Sequence, residues 1–353
     1  MINTLLSGDY PRSRALTVIL LLLVLGLALA PFLFPGTRSL DTAAKICIFI
    51  VLVASYDLLL GYTGIVSFAH TMFFGIGAYG VAITLHNLGP AWSSIGIGIL
   101  AGLVLSMMLA LVIAMASLRV KAIFFAMITL AVASAFAILV NQMFHLTGGE
   151  DGLNYKVPKE LTPAFKLMKE KLFGVRINGK LLSYYLVFFS AAGLFLLALR
   201  VVNSPFGRVL QAIRENEFRA EAVGYRTVYY RTVATCLSAG MAALAGALMA
   251  LWLRYTGPDV TLSLDLMLDI LLMVVIGGMG TLYGAIIGAT LFILAQTYLQ
   301  NLMGAASEAT SALPLLPDLL QPDRWLLWLG VLFILSVYFF PTGMVGKLRE
   351  KAA

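Results

Sequence analysis

A run of 61 residues, from position 58 to position 118, contains no aspartate, glutamate, lysine or arginine. An α-helix rises about 1.5 Å per residue and the hydrocarbon core of a bilayer is about 30 Å thick, so this run is long enough for about three membrane crossings. Turn-forming residues interrupt it at GYTG (residues 61–64) and at NLGP (residues 87–90). Hydrophobic residues make up 61% of the chain and charged residues 12%, which excludes a soluble globular protein. The sequence therefore predicts an all-α, polytopic membrane protein.

Charged residues divide the rest of the chain into further apolar spans, which gives about ten transmembrane helices in a single transmembrane domain, residues 1–353. The predicted spans cover residues 15–34, about 46–60, two within 61–118, 122–143, 181–199, 232–253, two within 270–307, and 325–340. The first span follows Arg12 and Arg14, as the core of a signal peptide does, but its 20 residues favour an uncleaved helix. The uncharged run 270–307 holds 38 residues and is interrupted by glycines, so it must turn back on itself.

Ten spans place both termini on the same side of the membrane, and the basic residues indicate which side. If the termini are cytoplasmic, thirteen lysines and arginines face the cytoplasm and only four lie in short outer loops. The long segment 144–180 holds seven more, but long segments count little in the positive-inside rule. We therefore expect both termini to be cytoplasmic. The formal net charge of +7 follows from this arrangement and requires no nucleic acid.

The polar segment 144–180 is then expected to be external. It contains TGGEDG at residues 147–152, followed by mixed charges among Phe165, Leu167 and Leu172. This pattern predicts a loop followed by an amphipathic helix on the membrane surface.

The most densely charged stretch is NSPFGRVLQAIRENEFRAEAVGYRTVYYR, residues 203–231. Apolar residues recur in it at helical spacing, which predicts a short amphipathic helix. Ser204 followed by Pro205 is a usual helix start, and Gly224 is a natural stop. Composition alone leaves two interpretations open: a solvated loop whose charges set the topology, or a docking element for a soluble partner.

Two glycine-broken apolar segments occupy comparable places in the two halves of the chain: GYTGIVSFAHTMFFGIGAY at residues 61–79 and GGMGTLYGAIIGA at residues 277–289. Such breaks frequently mark the midplane pathway of a transporter, although a single glycine more often allows close helix packing. For the pair, we favour the pathway interpretation. It assigns to the substrate pathway Asp57, Gly61, Tyr62, Gly64, Ser67, His70, Gly75, Gly77, Gly277, Gly278, Gly280 and Thr281.

Ionisable residues of two kinds, aspartate and histidine, lie near these segments. Asp57 precedes Gly61 by one helical turn, and it is either a functional residue at membrane depth or a residue at the membrane surface. His70 has no carboxylate or second histidine at ligand spacing, which favours hydrogen-bonded packing over ligand or proton chemistry. Three aspartates are expected to form a solvated acidic rim before the eighth span. They are Asp259, Asp265 and Asp269.

Several function classes are excluded or disfavoured. The chain has no GxxxxGK[ST] phosphate loop, so it is not expected to hydrolyse ATP itself, and it has no nucleophile, base and orienting group that would indicate an enzyme. Cys47 and Cys236 each lie in an apolar run, so neither a disulfide nor a metal site is predicted. An autonomous channel or secondary transporter would usually need an ionisable relay inside the membrane, and only Asp57 qualifies.

Four ordered blocks of the sequence resemble the LivM-type permease of bacterial ABC importers for branched-chain amino acids. They are GYTGIVSFAHTMFFGIGAY at 61–79, LTGGEDGL at 146–153, SPFGRVLQAIRENEFRAEAVGY at 204–225 and MVVIGGMGTLYGAIIGA at 273–289. The resemblance runs from about residue 46 to residue 346. Related permeases with similar blocks serve urea, short amides or other amino acids, so the substrate is less specific than the family.

The resemblance implies a transport subunit of the inner membrane that works with a second permease, two ATP-binding subunits and a soluble binding protein. ATP and Mg²⁺ would bind to the ATPase partners, and their motion would rock the permease pair between outward-open and inward-open states. Segment 203–231 would be the coupling segment that docks on the ATPase. The residues that would carry this role are Ser204, Gly207, Arg208, Arg214, Glu215, Asn216, Glu217, Glu221 and Gly224. The glycines alone motivate a further hypothesis, that exposed backbone at the two breaks holds the zwitterionic amino acid, with helix N-termini facing its carboxylate.

Overall fold

The structure is a computed structural model that describes residues 13–34, 36–117, 122–172, 175–309, 321–340 and 342–350. In chain order its elements are α1 (Arg14–Leu33), α2 (Thr37–Thr63), α3 (His70–Leu88), α4 (Trp92–Ser117), α5 (Ala122–Gln142), α6 (Phe144–Thr147), β1 (Leu153–Asn154), β2 (Lys166–Leu172), β3 (Val175–Asn178), α7 (Gly179–Val202), α8 (Pro205–Glu215), α9 (Glu217–Ala222), α10 (Thr227–Leu253), β4 (Tyr255–Thr256), α11 (Pro258–Thr261), α12 (Leu264–Gly277), α13 (Leu282–Ala309), α14 (Trp325–Phe339) and α15 (Gly343–Glu350). The predicted all-α class is confirmed, because the strands among these described residues form only two short antiparallel ribbons, β1–β4 and β2–β3.

Nine segments of the described residues are long and apolar enough to cross a membrane. The predicted third span corresponds to α3, whose 19 residues include two histidines and three glycines and which is not among the nine. With α3, ten long helices among the described residues correspond to the ten predicted spans, although the bounds of some of them differ. Helices α2, α3 and α10 form the buried centre of the bundle. Helices α1, α4, α5 and α14 expose most of their apolar side chains on the outside.

Close packing at the centre depends on residues without large side chains. A Cβ atom on Gly77 of α3 would overlap the backbone of Ala243 on α10, and one on Gly246 of α10 would overlap the carbonyl of Phe74. Gly80 of α3 lies against Gly98 of α4 in the same way, since an added Cβ would be 2.7 Å from the Gly98 oxygen. Helices approach this closely in lipid because dispersion forces, rather than the hydrophobic effect, drive their association.

Consecutive long helices alternate in direction, so the bundle has two ends. The α8 end carries the C-terminal ends of α2, α7 and α12, the start of α10, and α15. The β1 end carries the β1–β4 ribbon. There the Tyr155 hydroxyl donates to the Ala250 carbonyl oxygen at 2.9 Å and lies 2.9 Å from the Thr256 hydroxyl. Burial raises the pKa of Tyr155 far above its usual range, so the phenol stays neutral and keeps its proton for this bond.

The predicted second span, about 46–60, begins too late, because α2 begins at Thr37 and includes Arg38, Asp41 and Lys45. Partners at the β1 end satisfy two of these charges: Arg38 donates to the Thr297 carbonyl at 2.9 Å, and Asp41 pairs with Lys180 at 2.9 Å. Asp259 and Asp265 of the predicted acidic rim are exposed, but the prediction that all three aspartates precede the helix of the eighth span is wrong. Asp265 lies in the first turn of α12 and Asp269 follows within the helix, where acidic groups near the N-terminus are favourable.

The predicted surface helix within residues 144–180 is wrong as well. The segment instead contains the antiparallel ribbon of β2 and β3, in which Leu172 pairs with Val175 and Lys171 with Arg176. The sequence carries a signal for this outcome. Val175 and Ile177 are β-branched and alternate with Arg176 and Asn178, which is the period of a strand rather than of a helix.

Candidate functional site

Both glycine breaks reach the α8 end of the bundle, where α2 stops at Gly64. Gly64 adopts a left-handed conformation with φ of 73°, and the N–H groups of Gly64 and Ile65 both point to the carbonyl oxygen of Leu59. This C-cap leaves the carbonyl of Gly61 without a partner inside the helix. The guanidinium of Arg214, on α8, donates to that carbonyl. A positive charge there is also favourable because the C-terminus of a helix carries a partial negative charge.

Asp57 ties the second glycine break to the same place. Its side chain is 2% exposed, and its Oδ1 accepts a hydrogen bond of 2.8 Å from the backbone N–H of Gly280. A Cβ atom on Gly61 would overlap both Asp57 Oδ1 and the Gly280 nitrogen, so only glycine leaves room for this bond. We call the group Asp57, Gly61, Arg214 and Gly280 the junction.

Gly280 also satisfies a conformational requirement. Its φ is 81°, and a Cβ atom there would lie 2.8 Å from Arg214 Nη1 and 3.0 Å from the Gly61 oxygen. The turn between α12 and α13 is closed by the Thr281 hydroxyl, which donates to the Gly278 carbonyl at 2.7 Å. Gly277 packs against Gly284 across this turn, and Gly343 of α15 packs against Gly278. The second break is therefore a tight hairpin that lies on the end of α2.

His70 is the first residue of α3, and its side chain is buried and packed against neighbouring residues. Its Nε2 lies 2.8 Å from the Ser55 hydroxyl, and its ring meets that of Tyr56 edge-on at 5.1 Å between centroids. Ser238 of α10 donates to the Ser55 carbonyl at 2.5 Å. Ser55 therefore connects α2 to both α3 and α10, two residues before Asp57. This geometry agrees with the hydrogen-bonded packing that the sequence favours for His70.

The residues assigned to a substrate pathway do not form one lining. Gly61, Gly64 and Gly280 gather around Arg214, whereas Gly75 and Gly77 lie along α3, against Leu262 and Ala243 respectively. Tyr62 and Ser67 are buried beside the first break. These positions show which residues come together and which do not. Their role in transport stays a prediction.

The charged segment forms two helices instead of the single helix that the sequence predicts. Ser204 caps α8 by accepting from the Gly207 N–H at 3.4 Å, with Pro205 as the first helical residue, so this start is confirmed. Asn216 then adopts an extended conformation and its side chain accepts from the Arg219 N–H at 2.9 Å, which starts α9. Asparagine is among the best N-cap residues, so a sequence signal for this break exists. Gly224 ends the pair with φ of 102°.

α8 and α9 differ in what they contact. On α8, Leu210 and Ile213 are fully buried against the bundle and Gly207 lies against the backbone of Val202, while Arg208 and Glu215 are exposed. α9 buries only Ala220 and is braced by two side-chain contacts, Glu217 with Arg231 and Glu221 with the Thr227 hydroxyl.

α9 and its C-cap residue also expose apolar side chains, of which sequence patterns did not single out Phe218. Phe218 is 82% exposed and Val223 is 72% exposed. The sequence does carry a signal for the exposure of Phe218. This residue is an aromatic between charged neighbours, in a short helix at the α8 end of the bundle. An exposed aromatic of this kind is typical of a protein contact.

A cleft of about 280 Å³ opens beside the start of α3, and sequence reasoning did not find it. Apolar side chains of α5 and of the segment from Pro258 to Leu264, the first residue of α12, make up most of its walls, with a few polar groups among them. The polar lining residues are Thr71, Ser134, Asn141, Asp259 and Ser263. Ser263 is the N-cap of α12, so the positive end of that helix faces this region. Apolar walls with a few polar groups are usual for sites that bind small molecules.

Proteins with known names are similar in sequence to this chain over most of its length. The high-affinity branched-chain amino acid transport system permease protein LivM of Salmonella typhimurium is 26% identical over 330 residues, which cover 89% of this chain and 71% of that protein. The Escherichia coli protein of the same name is 25% identical over 347 residues, covering 94% and 75%. A probable branched-chain amino acid transport permease protein LivM of Methanocaldococcus jannaschii is 25% identical over 290 residues, covering 78% of each chain.

No solved structure matches the chain significantly. The family described as branched-chain amino acid transport system, permease component, matches residues 39–337. The chain therefore belongs to this family of transport permeases.

Proposed function

We propose that this chain is a permease subunit of an ABC importer that moves branched-chain amino acids across the inner membrane by alternating access. The observation that carries the proposal is the family match over residues 39–337, which includes both glycine breaks and the whole α8–α9 segment. Relatives named as branched-chain amino acid permeases favour that substrate class over urea or short amides. In this role the chain is a transport subunit, and ATP and Mg²⁺ bind to its partners.

The partners are a second, related permease, two ATP-binding subunits and a soluble binding protein. The α8 end is the cytoplasmic end in this proposal, which places both termini in the cytoplasm. Its support is the charge distribution. The described residues at that end include Arg14, all six arginines from Arg200 to Arg231, and two basic residues of α15. An excess of arginine and lysine on the cytoplasmic side is the general rule for membrane proteins.

The α8–α9 pair is the docking element for the ATPase. α8 is anchored in the bundle by buried Leu210 and Ile213, while α9 projects Phe218 into solvent between charged groups. The braces from Glu217 to Arg231 and from Glu221 to Thr227 fix the direction of that projection. An apolar anchor with a charged rim is the usual form of a protein interface centre.

The substrate pathway passes the cleft beside α3 in this proposal. The cleft offers an apolar wall for an aliphatic side chain, the Asp259 carboxylate for an ammonium group, and the N-terminal end of α12 for a carboxylate. A zwitterion with an aliphatic side chain needs these three features. The cleft opens on the side of the bundle, so a second permease is expected to complete it.

Affinity purification from the native host, in mild detergent and followed by mass spectrometry, tests the docking proposal. We expect a second permease and ATP-binding subunits to copurify with the wild type. In Phe218→Ala and in Glu217→Lys the yield of ATPase should fall about tenfold or more, because a central interface anchor is worth about 2 kcal/mol. The second permease should copurify with both variants as it does with the wild type.

Phe189→Ala is the matched control, since Phe189 is 67% exposed on the outer surface of α7, far from α9. It should retain all partners. A wild-type protein that purifies alone, or only with itself, contradicts the importer proposal and favours an autonomous channel or carrier.

A further inference from the structure

The junction connects α8 of the proposed docking element to both glycine breaks through two polar contacts. Arg214, near the end of α8, donates to the Gly61 carbonyl in the last turn of α2. Asp57, one turn earlier on the same face of α2, accepts from the Gly280 N–H in the α12–α13 turn at 2.8 Å. Three chain segments that are far apart in sequence therefore meet within one helical turn of α2.

The contacts do not stop at α2. Ser55 lies two residues before Asp57, and its hydroxyl is 2.8 Å from His70 Nε2 at the start of α3. The next residue of α3, Thr71, lines the cleft. A second contact, from Ser238 to the Ser55 carbonyl, holds α10 to the same turn of α2. A continuous series of hydrogen bonds and helix turns thus runs from α8 to the cleft wall.

The junction also has little freedom to adjust. Asp57 is 2% exposed, and a Cβ at Gly61 would overlap its carboxylate. The Gly280 Cβ position is confined by Arg214 and the Gly61 carbonyl. The carboxylate and the guanidinium attract each other across the two glycines. Packed elements of this kind move as a body rather than deforming smoothly.

We propose that Arg214 and Asp57 are the positioning residues that couple movement of α8 to the α12–α13 turn and to the start of α3. Arg214 holds α8 to the end of α2, and Asp57 holds the α12–α13 turn to the same end. A displacement of α8 by the ATPase therefore moves α2 and the cleft wall together. This inference rests on the proposed function, because it requires an ATPase that displaces α8.

The test uses the complete complex reconstituted in proteoliposomes, with leucine uptake and ATP hydrolysis measured on the same samples. We expect Arg214→Gln to assemble with its ATPases and to hydrolyse ATP, but to import about tenfold less leucine per ATP than the wild type. Coupling between sites is typically worth about 5-fold to 150-fold. Arg214→Lys keeps the charge and a hydrogen-bond donor, so it should import more leucine per ATP than Arg214→Gln but less than the wild type.

The second residue gives an independent measurement. Asp57→Asn keeps the acceptor oxygen and should lose less coupling than Asp57→Ala. The double variant Arg214→Gln with Asp57→Ala should lose no more than the larger single loss, because both residues act through the same turn of α2. Additive losses would show two separate roles and would overturn the proposal.

Two control variants change comparable groups outside the junction. Arg200→Gln removes an exposed arginine of α7 at the same end, and Asp41→Ala removes an acid at the β1 end. Both should import a normal amount of leucine per ATP.

An unchanged ratio in Arg214→Gln overturns the inference, and so does loss of the ATPases from that variant, which would assign Arg214 to docking alone. Should Asp57→Ala fail to fold, as judged by size-exclusion chromatography, the comparison of Arg214→Gln with Arg214→Lys decides by itself. A wild type without ATPase partners refutes the proposed function instead, whatever the variants do.

Discussion

The two glycine-broken segments look alike in sequence, but the chain takes a different course after each break. After Gly64 only five residues precede α3, whose first residue, His70, is already fully buried inside the protein. After Gly277 the chain turns at once and α13 runs back along α12, with Gly288 packed against the Met273 carbonyl. The first break thus starts a helix in the interior, and the second makes a hairpin at the end of the bundle. Glycine spacing alone does not distinguish these outcomes.

The comparison also separates two reasons for a glycine. Gly64, Gly278 and Gly280 have positive φ, a conformation that costs other residues about 1–2 kcal/mol. Gly61, Gly77 and Gly288 instead have ordinary backbone conformations, but another chain segment lies where their Cβ would be. Substitutions at the two kinds of position should therefore differ in size and in kind.

The largest effect is expected at a packing glycine of the first segment. In Gly77→Ile the added side chain enters the backbone of Ala243 on α10. Because both helices are central and cannot separate without exposing the core, we expect a loss of stability of about 3 kcal/mol or more, or no folded protein. Gly96→Ile is the control, since nothing lies within 4 Å of a Cβ at Gly96 on α4.

The measurement is the yield of monodisperse protein in detergent and the midpoint of its thermal unfolding. Equal yields and midpoints for the two isoleucine variants would contradict the assignment of Gly77 to packing.

Two neighbouring glycines of the first break allow an intermediate and more selective test. Gly61→Ala places a methyl group on Asp57 Oδ1 and the Gly280 nitrogen, so it should break that hydrogen bond and cost about 2–3 kcal/mol. Gly64→Ala has its nearest contact 3.3 Å away, at Arg214 Cγ, so its main penalty is the φ of 73°, and it should cost about 1 kcal/mol.

Gly64→Asn should cost less than Gly64→Ala, because asparagine tolerates the left-handed region, and Gly61→Asn should be at least as damaging as Gly61→Ala. The free energy of unfolding, followed by denaturant titration in mixed micelles, checks both pairs. An opposite order of the asparagine and alanine variants at Gly64 would show that packing, rather than φ, dominates there.

Much of this architecture could be predicted from local patterns. Uncharged runs and turn residues located the spans, and Ser204 with Pro205 located the start of α8. Four sequence blocks led to the family, which the relatives confirm. Each of these signals depends on residues within a few turns of one another, which is the range over which helical spacing and capping act.

The junction could not be predicted in the same way. Asp57 and Gly280 are 223 residues apart, and Arg214 is 153 residues from Gly61, so no local spacing relates them. The charged start of α2 was also missed, since the partners of Arg38 and Asp41 lie on α13 and at the start of α7. When only the neighbouring residues are known, charged side chains predict a loop. Here partners from distant segments allow the charged residues to lie in a helix.

Single cysteine substitutions near the two glycine-broken segments should change stability least. They also distinguish most directly between the functions of the two segments. Ser134 lines the cleft near the first break, and Thr281 lies in the turn of the second. In a complex whose native cysteines are replaced by alanine, we expect Ser134→Cys to react with a charged thiol reagent, since a water-filled path ionises thiols and lipid does not. Leucine with the binding protein should slow this reaction about twofold to fivefold, as expected for partial occupancy of a site.

Thr281→Cys should react without protection by leucine, because the α12–α13 turn belongs to the coupling route in our proposal and not to the substrate path. Ser134→Cys should not change folding, because Ser134 is exposed. Thr281→Cys replaces the hydroxyl that donates to the Gly278 carbonyl with a weaker S–H donor, so it should cost no more than about 1 kcal/mol. Protection of Thr281→Cys together with an unreactive Ser134→Cys would contradict the cleft. The amino acid would then pass through the glycine junction itself, and the two breaks would share the role that their sequences suggest.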